Sequence, residues 1–588
     1  RYLLSSQSGR CLSRLQQTDN LQYFSLPIGA GRVREIRFSE FNEAVHSFTL
    51  SEREVKGIDF DSGLSLIGPM VVVEKPDAAF LIAYEHGSQV PDAFVEYRLT
   101  PERAISLRAV KGNYEHGRPV NRATPYETIW MQIGAVSGSE EDLARAYRTF
   151  VLRFLSENEE SRKPYIFYNT WAYQERNKWW NNAQFLDSMR EDRILSEIEV
   201  AHQLGIDVFV LDTGWYEKTG DWRVNGKRFS ESLSVVKKKL DQYGMRLGLW
   251  FDPTAAAVTS NILRNHEDCI RSWQGKPSGP HPIWETEDSY NMCLVSRYYE
   301  AFANELIRLT KEVGMTYFKW DAIHQYGCDA AGHGHGTEEN SSQERADSYA
   351  FQLGIAMSRI VDKLCAACPE AIVDFDITEG HRYVGLGFLA SGKYFLINNG
   401  PYYHNFDIPY DGTYWSNIFV HHGPARGWIC RTPLTFDKWI PTVLFLTHYL
   451  PDDPEESQWI NLASLVLGQN GIWGDLLAIS PEGVERIRTT LARYKAIRGD
   501  ITEASLLKTG EAGGSPEIYE KISPASRKGV VSLFSSAAGS FSYVTSARVV
   551  GDCWHSEGIK VTISTHGYAR IDAEFMAPGA KIVFFGVE

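Results

Sequence analysis

The tetrad Phe318-Lys319-Trp320-Asp321 closes a short apolar run with an ammonium and a carboxylate two positions apart. Side chains along an extended strand repeat every two residues, so Lys319 and Asp321 share one face and Trp320 takes the other. A carboxylate beside a fixed ammonium stays ionised, which suits a nucleophile or an anionic stabiliser. An isolated Lys-x-Asp is more often a surface ion pair, but this one has company. Asp212 follows Val208–Leu211, Asp252 follows Leu249-Trp250-Phe251, and Asp374 and Asp376 end the run that begins at Ala371. Trp171, Trp215, Trp222, Trp250 and Trp320 lie among these acids. Carboxylates accept paired hydrogen bonds from vicinal hydroxyls while indoles cover an apolar ring face, so the set points to carbohydrate. The same acids could hold a divalent cation, yet metal chemistry usually recruits histidine at such positions, and these run ends carry none.

Positioning such residues requires a scaffold that gathers strand ends. From about Lys163 to Arg498, short apolar runs alternate with amphipathic helical stretches, the signature of repeated βα units. The expected strands are Tyr165–Tyr168, Val208–Leu211, Arg246–Phe251, Thr316–Trp320, Ala371–Phe375, Tyr394–Ile397, Gly427–Ile429 and Leu465–Gly468. Eight runs over this length predict a (β/α)8 TIM barrel, whose carboxyl-terminal strand ends meet at one mouth. An open doubly wound sheet is the alternative, although no Gly-x-Gly-x-x-Gly turn follows the first run. The flanks read as antiparallel β-structure, with alternating runs such as Val33–Phe38, Val95–Leu99, Gly529–Phe534 and Lys581–Phe585. Ser139, three positions before Asp142, caps a predicted connector helix that reaches about Leu155. The expected organisation is multidomain. An N-terminal β-sandwich with its helical linker occupies residues 1–160, the barrel 161–499, and a C-terminal β-sandwich 500–588.

Composition narrows the partners. Sixty basic against 74 acidic residues leave a net charge of −14 with no basic block, which argues against nucleic acid and anionic membrane. No apolar stretch approaches the ~20 residues of a membrane span, and the sequence opens at Arg1 without a signal-like core, so a targeting segment is expected to be absent or removed. Compartment stays open between cytoplasm and a secreted or periplasmic location, and a homo-oligomer is allowed. The eight cysteines are scattered and form neither a disulfide framework nor a zinc pattern. Cys365 and Cys368 fall inside a helical run from Ser341 to Cys368, which reads them as core or idle thiols. Gly332-His333-Gly334-His335 offers two imidazoles without a third ligand and reads as loop. No metal and no cofactor are expected.

Taken in order, Leu211-Asp212-Thr213-Gly214-Trp215, Gly220-Asp221-Trp222, Gly248-Leu249-Trp250-Phe251-Asp252-Pro253 and Lys319-Trp320-Asp321 resemble the motifs of α-galactosidases of glycoside hydrolase family 36, in clan D. The stretch from Leu465 to Gly499, with Tyr494-Lys495-Ala496-Ile497-Arg498, is similar to that family's last barrel strand and helix. The resemblance implies a retaining glycosidase in which Asp321 is the nucleophile and Lys319 and Asp212 bind sugar hydroxyls. Retention would pass through a covalent glycosyl-enzyme, with a protonated acid about 5–5.5 Å from the nucleophile. Together with the acids and indoles above, the carbohydrate-binding candidates are Asp212, Trp215, Trp250, Asp252, Lys319, Asp374 and Arg382.

Three departures from the family pattern bear on specificity and on proton donation. The family's Asp-Asp pair, which grips the 4- and 6-hydroxyls, is here Asp212-Thr213, and threonine cannot accept the same charge-assisted bonds. Asp252 stands where the family commonly has Glu, and Asp374-Phe375-Asp376-Ile377-Thr378-Glu379-Gly380-His381-Arg382 replaces a cysteine- and glycine-rich segment. Leu396-Ile397-Asn398-Asn399-Gly400-Pro401 puts asparagine where the resemblance expects the acid, and an amide donates no titrating proton at neutral pH. The candidate acid/base is then Asp407, with Asp376, Glu379 and Asp411 as rivals. The expected substrate is an α-galactoside-like sugar. A transglycosylase of the same fold and a catalytically silent carbohydrate-binding barrel are the alternatives.

Overall fold

The computed structural model describes residues 1–588 except 14–20, 39–48, 88–92, 114–115, 124, 157, 180, 322–326, 377–384, 392–393, 399–430 and 469. Eight parallel strands close into a barrel: β1 (Phe167–Asn169), β2 (Val208–Leu211), β3 (Arg246–Phe251), β4 (Tyr317–Trp320), β5 (Ile372–Asp376), β6 (Tyr394–Asn398), β7 (Phe445–Tyr449) and β8 (Gly471–Ile472). β8 pairs with both β7 and β1, which completes the ring. The second strand, VFVL, is buried throughout because a parallel barrel strand faces side-chain layers inside and helices outside.

The helices around the barrel owe their ends to local chemistry. Helix α1 (Glu140–Arg153) starts at Ser139, whose side chain accepts from the Asp142 amide while the Asp142 carboxylate accepts from Ser139, the reciprocal box expected from the sequence. Helix α2 (Glu191–Leu204) stops at Gly205 and α3 (Tyr298–Val313) at Gly314, both left-handed, a conformation that glycine adopts without a side-chain clash. Helix α4 (Ser342–Ala367) repeats the capping box at Ser341 and Glu344. Helix α5 (Glu455–Leu465) lies between β7 and β8, and α6 (Pro481–Glu503) follows β8.

The flanks are antiparallel. Before α1, a five-stranded and a four-stranded sheet enclose an apolar cluster that includes Val71, Ile82, Tyr97 and Leu107. After α6, a five-stranded and a three-stranded sheet enclose another around Val531, Ile571 and Phe585.

Two strand expectations need correction. Leu465–Gly468 is the end of α5 and the turn after it, and the eighth strand is Gly471–Ile472. A short apolar run has no period that separates a buried strand from a buried helix end. The seventh strand is Phe445–Tyr449, whereas Gly427–Ile429 lies outside the described residues.

A buried ion cluster joins the three parts of the chain. Asp437, on the connection between β6 and β7, takes Arg148 of α1 at 3.0 Å and Lys521 of the C-terminal sheets at 3.0 Å, and all three are buried. Burial opposes ionisation of Asp437, but the Arg148 and Lys521 charges outweigh it and hold the carboxyl below its ordinary value. Burial brings Lys521 down to about 8, with Asp437 opposing. Replacing Asp437 by Asn leaves two buried cations without their counterion, a change that costs about 3–5 kcal/mol. Asp437→Asn is therefore expected to lower the urea midpoint markedly, and a midpoint unchanged within error would mean that the cluster does not hold the parts together.

Candidate active site

β4 carries the tetrad to the mouth of the barrel. Lys319 pairs in register with Trp250 on one side and Asp374 on the other, which sets β3, β4 and β5 side by side at this level. One residue beyond β4, Asp321 donates its backbone N–H to the Phe251 carbonyl at 2.8 Å, and the Trp250 indole N–H donates to its Oδ2 at 3.1 Å. The Asp321 side chain remains half-buried, unlike the fully enclosed acids around it.

Lys319 is the buried centre of this layer. Its Nζ donates to Asp212 Oδ2 at 3.2 Å, stands 3.7 Å from Asp376 Oδ2, and lies 5.0 Å from the ring centre of Trp473. Burial works against the charged ammonium, but Asp212, Asp376, Asp321 and Asp374 overcome it and raise Lys319 above its ordinary value. Asp212 is fixed from three directions. Asn169 Nδ2 donates to its Oδ2 at 2.9 Å, the Thr213 N–H donates to its Oδ1 at 2.8 Å, and its own N–H donates to Thr170 Oγ1 at 3.0 Å.

Gly214, with φ 99°, turns the chain after Asp212 and Thr213, and a Cβ there would stand 2.8 Å from Leu186. The turn buries Trp215, whose indole N–H donates to the Trp250 carbonyl at 2.9 Å. Trp215 thus backs the residue that holds Asp321. Thr213 is also buried, and its hydroxyl shares a 2.9 Å hydrogen bond with the Tyr216 hydroxyl.

Two acids of the set sit in less favourable surroundings for a charge. Burial raises Asp252 to about 6, against hydrogen bonds from Thr254, and the charge of Asp321 adds to the effect. Burial raises Asp374 to about 7, opposed by the Tyr317 hydroxyl that donates to Oδ2 and reinforced by Asp376. Asp374 Oδ1 has no hydrogen-bond partner among the described residues. Near neutral pH, Asp374 therefore carries a proton for much of the time, which limits the negative charge gathered around one ammonium.

The candidates Asp212, Asp252, Lys319, Asp321, Asp374 and Asp376 come together at the strand ends, with Trp250 beside them. Arg382 and the acid/base candidates Asp407, Glu379 and Asp411 lie outside the described residues. Sequence reasoning missed Asn169 and Trp473. Asn169 ends β1 as the acids end their strands, so the strand-end rule applied to amides would have found it, whereas Trp473 follows the strand that the sequence misplaced. The reading of His333 and His335 as a loop pair without further ligands is also corrected, since Cys293 and Cys328 stand beside them.

The family described as Melibiase matches residues 138–391. Those residues contain the tetrad and the strand-end acids through Asp376. Over this stretch, which is less than half of the chain, the protein is similar to that family and to α-galactosidases. α-Galactosidase 1 of Pediococcus pentosaceus is 28% identical over 156 residues, which cover 25% of this chain and 20% of that protein. α-Galactosidase AgaA of Geobacillus stearothermophilus is 24% identical over 276 residues, covering 44% of this chain and 33% of that protein. The matched stretches thus span a third or less of these relatives' own length. A structure of the Geobacillus enzyme in complex with raffinose aligns with 95% of this chain and 75% of its own, at a TM-score of 0.65 and 12% identity, which shows the shared multidomain barrel fold.

The raised Asp374 makes a pH prediction. A carboxyl with a folded-state value above its unfolded one stabilises the fold fully below the unfolded value, and this contribution is lost as pH rises through the folded value. For Asp374 the window runs from about 4 to about 7. Asp374→Asn, which cannot ionise, is expected to flatten the fall in Tm across that window. A wild-type and a variant profile of equal slope would contradict the placement of a protonated acid there.

Proposed function

We propose that the chain is a retaining α-glycoside hydrolase that acts on α-galactoside-like sugars through a covalent glycosyl-enzyme on Asp321. The observation that carries this reading is the half-buried Asp321 carboxylate, held by the Trp250 indole at the rim of a layer of acids centred on Lys319. An anionic carboxylate positioned by a fixed indole donor and still reachable by solvent can attack an anomeric carbon in line. Lys319 and Asp212 would meet the sugar hydroxyls behind it, where charge-assisted hydrogen bonds fix the ring. The glycosidase activity named for the relatives, and the raffinose complex of the Geobacillus enzyme, support the substrate class. In this reading the flanking sheets are β-sandwiches that brace the barrel, with boundaries near residues 160 and 500.

The proton donor is assigned to Asp407, with Glu379 and Asp411 as rivals. Asp376 suits the role less well, because its Oδ2 is already paired with Lys319. Thr213 in place of a second acid leaves the 4- and 6-hydroxyl edge with a neutral hydroxyl that Tyr216 engages. We therefore assign a sugar altered near C4 or C6, such as one without its 6-hydroxyl, ahead of galactose itself.

Incubation with a fluorinated α-glycosyl donor and peptide mapping tests the nucleophile. Label on Asp321 is expected, and Asp321→Ala is expected to lose at least about 10³-fold in kcat, or roughly 4 kcal/mol of barrier. Hydrolysis that survives intact in Asp321→Ala would sink the assignment. Sugar binding without turnover in the wild-type chain would favour a carbohydrate-binding barrel.

A further inference from the structure

On the connections that follow β3 and β4, Cys293, Cys328, His333 and His335 bring one sulfur or ring nitrogen each into a group whose atoms all lie within 4.8 Å of one another. The two cysteines and His335 are buried, and His333 is half-buried. Two thiols and two imidazoles are the donor set of a closed zinc site. Zn–S near 2.3 Å and Zn–N near 2.0–2.1 Å would place tetrahedral ligand atoms about 3.3–3.8 Å apart. Cys328 Sγ and His333 Nδ1 stand 3.4 Å apart.

The outer contacts of the histidines decide which nitrogens are available. His333 Nε2 is 2.8 Å from the Asp268 carbonyl, and His335 Nδ1 is 3.0 Å from the Arg345 carbonyl. A carbonyl only accepts, so both of those nitrogens carry the proton, leaving His333 Nδ1 and His335 Nε2 with free lone pairs. This is how ligating histidines are usually oriented. His335 Nε2 is buried and has no hydrogen-bond partner among the described residues, an arrangement that a cation would complete.

The backbone is shaped to bring the four together. Cys293 lies in the excursion between β3 and α3, where its N–H donates to the Cys269 carbonyl at 2.8 Å. The other three lie between β4 and α4. Between the two histidines, the Gly334 N–H donates to the Val295 carbonyl at 3.1 Å, and a Cβ on Gly334 would meet that oxygen at 2.5 Å. Only glycine allows this approach, which docks the histidine loop beside Cys293.

We propose that Cys293, Cys328, His333 and His335 bind one zinc ion in a tetrahedral structural site that clasps the β4–α4 connection to the β3–α3 excursion. Four protein ligands leave no open position for water or substrate, so the ion is structural and does not take part in bond cleavage. It fastens the connection that begins at Asp321 from its far side. The thiolates and imidazoles also select zinc over magnesium or calcium, which favour oxygen.

The test uses the full chain, purified without an affinity tag and with zinc in the growth medium. Elemental analysis is expected to find about one zinc per chain, falling more than about tenfold in Cys328→Ser and in His335→Gln. Exchange of the wild-type chain with cobalt(II) is expected to give the intense ligand-field bands of a tetrahedral ion and a thiolate-to-cobalt charge-transfer band. These readings need no variant, so they decide the matter even if a substitution prevents folding. A folded wild-type chain with less than about a tenth of an equivalent of zinc and no cobalt spectrum would overturn the proposal. So would a Cys293–Cys328 disulfide found by peptide mapping, or full zinc content retained in both folded variants.

Discussion

The site depends on one buried ammonium. Lys319 has left water at the centre of the barrel, and an unpaired cation there would be far too costly to retain. Asp212 and Asp376 meet it directly, and Asp321 and Asp374 add their fields. These residues come from β2, β4 and β5 or their ends, so the ion pairs act across strands that the backbone ladder already holds together. Burial raises Asp374, and the neighbouring Asp376 and Asp321 charges reinforce it against the pull of Lys319. One positive charge satisfies two close carboxylates, and a further buried acid is more stable with its proton.

Around that centre the acids divide by their surroundings. Asp212 is locked by hydrogen bonds from Asn169 and Thr213 as well as by Lys319, a rigid arrangement suited to gripping a hydroxyl. Asp321 has the Trp250 indole on one oxygen and a side chain that solvent can still reach. Trp215 in turn fixes Trp250 through the backbone. Of the tryptophans that the sequence suggested as sugar platforms, Trp250 thus holds the Asp321 carboxylate and Trp215 backs Trp250.

Much of this was legible from local signals. β2 and β3 match their expected bounds and β4 begins one residue later, because each is an apolar run ended by an acid. The Ser139 and Ser341 helix starts follow from side-chain chemistry within four residues. Illegible were features that depend on distant neighbours. Leu465–Gly468 is apolar because α5 packs against its surroundings there, and nothing in its own pattern says so. Thr213 announces a missing charge, but only the fold shows that its hydroxyl is already turned to Tyr216. Cys293 stands 35 positions before Cys328, in a different excursion from the barrel, so no spacing rule pairs them.

The same contrast bears on how Asp321 is held. On its near side the Phe251 carbonyl and the Trp250 indole fix it to β3. On its far side the connection reaches Cys328 and Asp329, and the Asp329 carboxylate accepts from Ser272 and from the Gln274 N–H of the β3–α3 excursion. Arg271 adds a bond to the Gly327 carbonyl at 3.0 Å. Both ends of the segment therefore rest on β3 and the excursion that follows it. A closed four-ligand site at Cys293, Cys328, His333 and His335 would strengthen this second anchorage. Catalysis by a single carboxylate needs its position held to a fraction of an ångström. In a barrel whose strand ends are all loops, that precision has to come from anchoring loops to one another as well as to the strands.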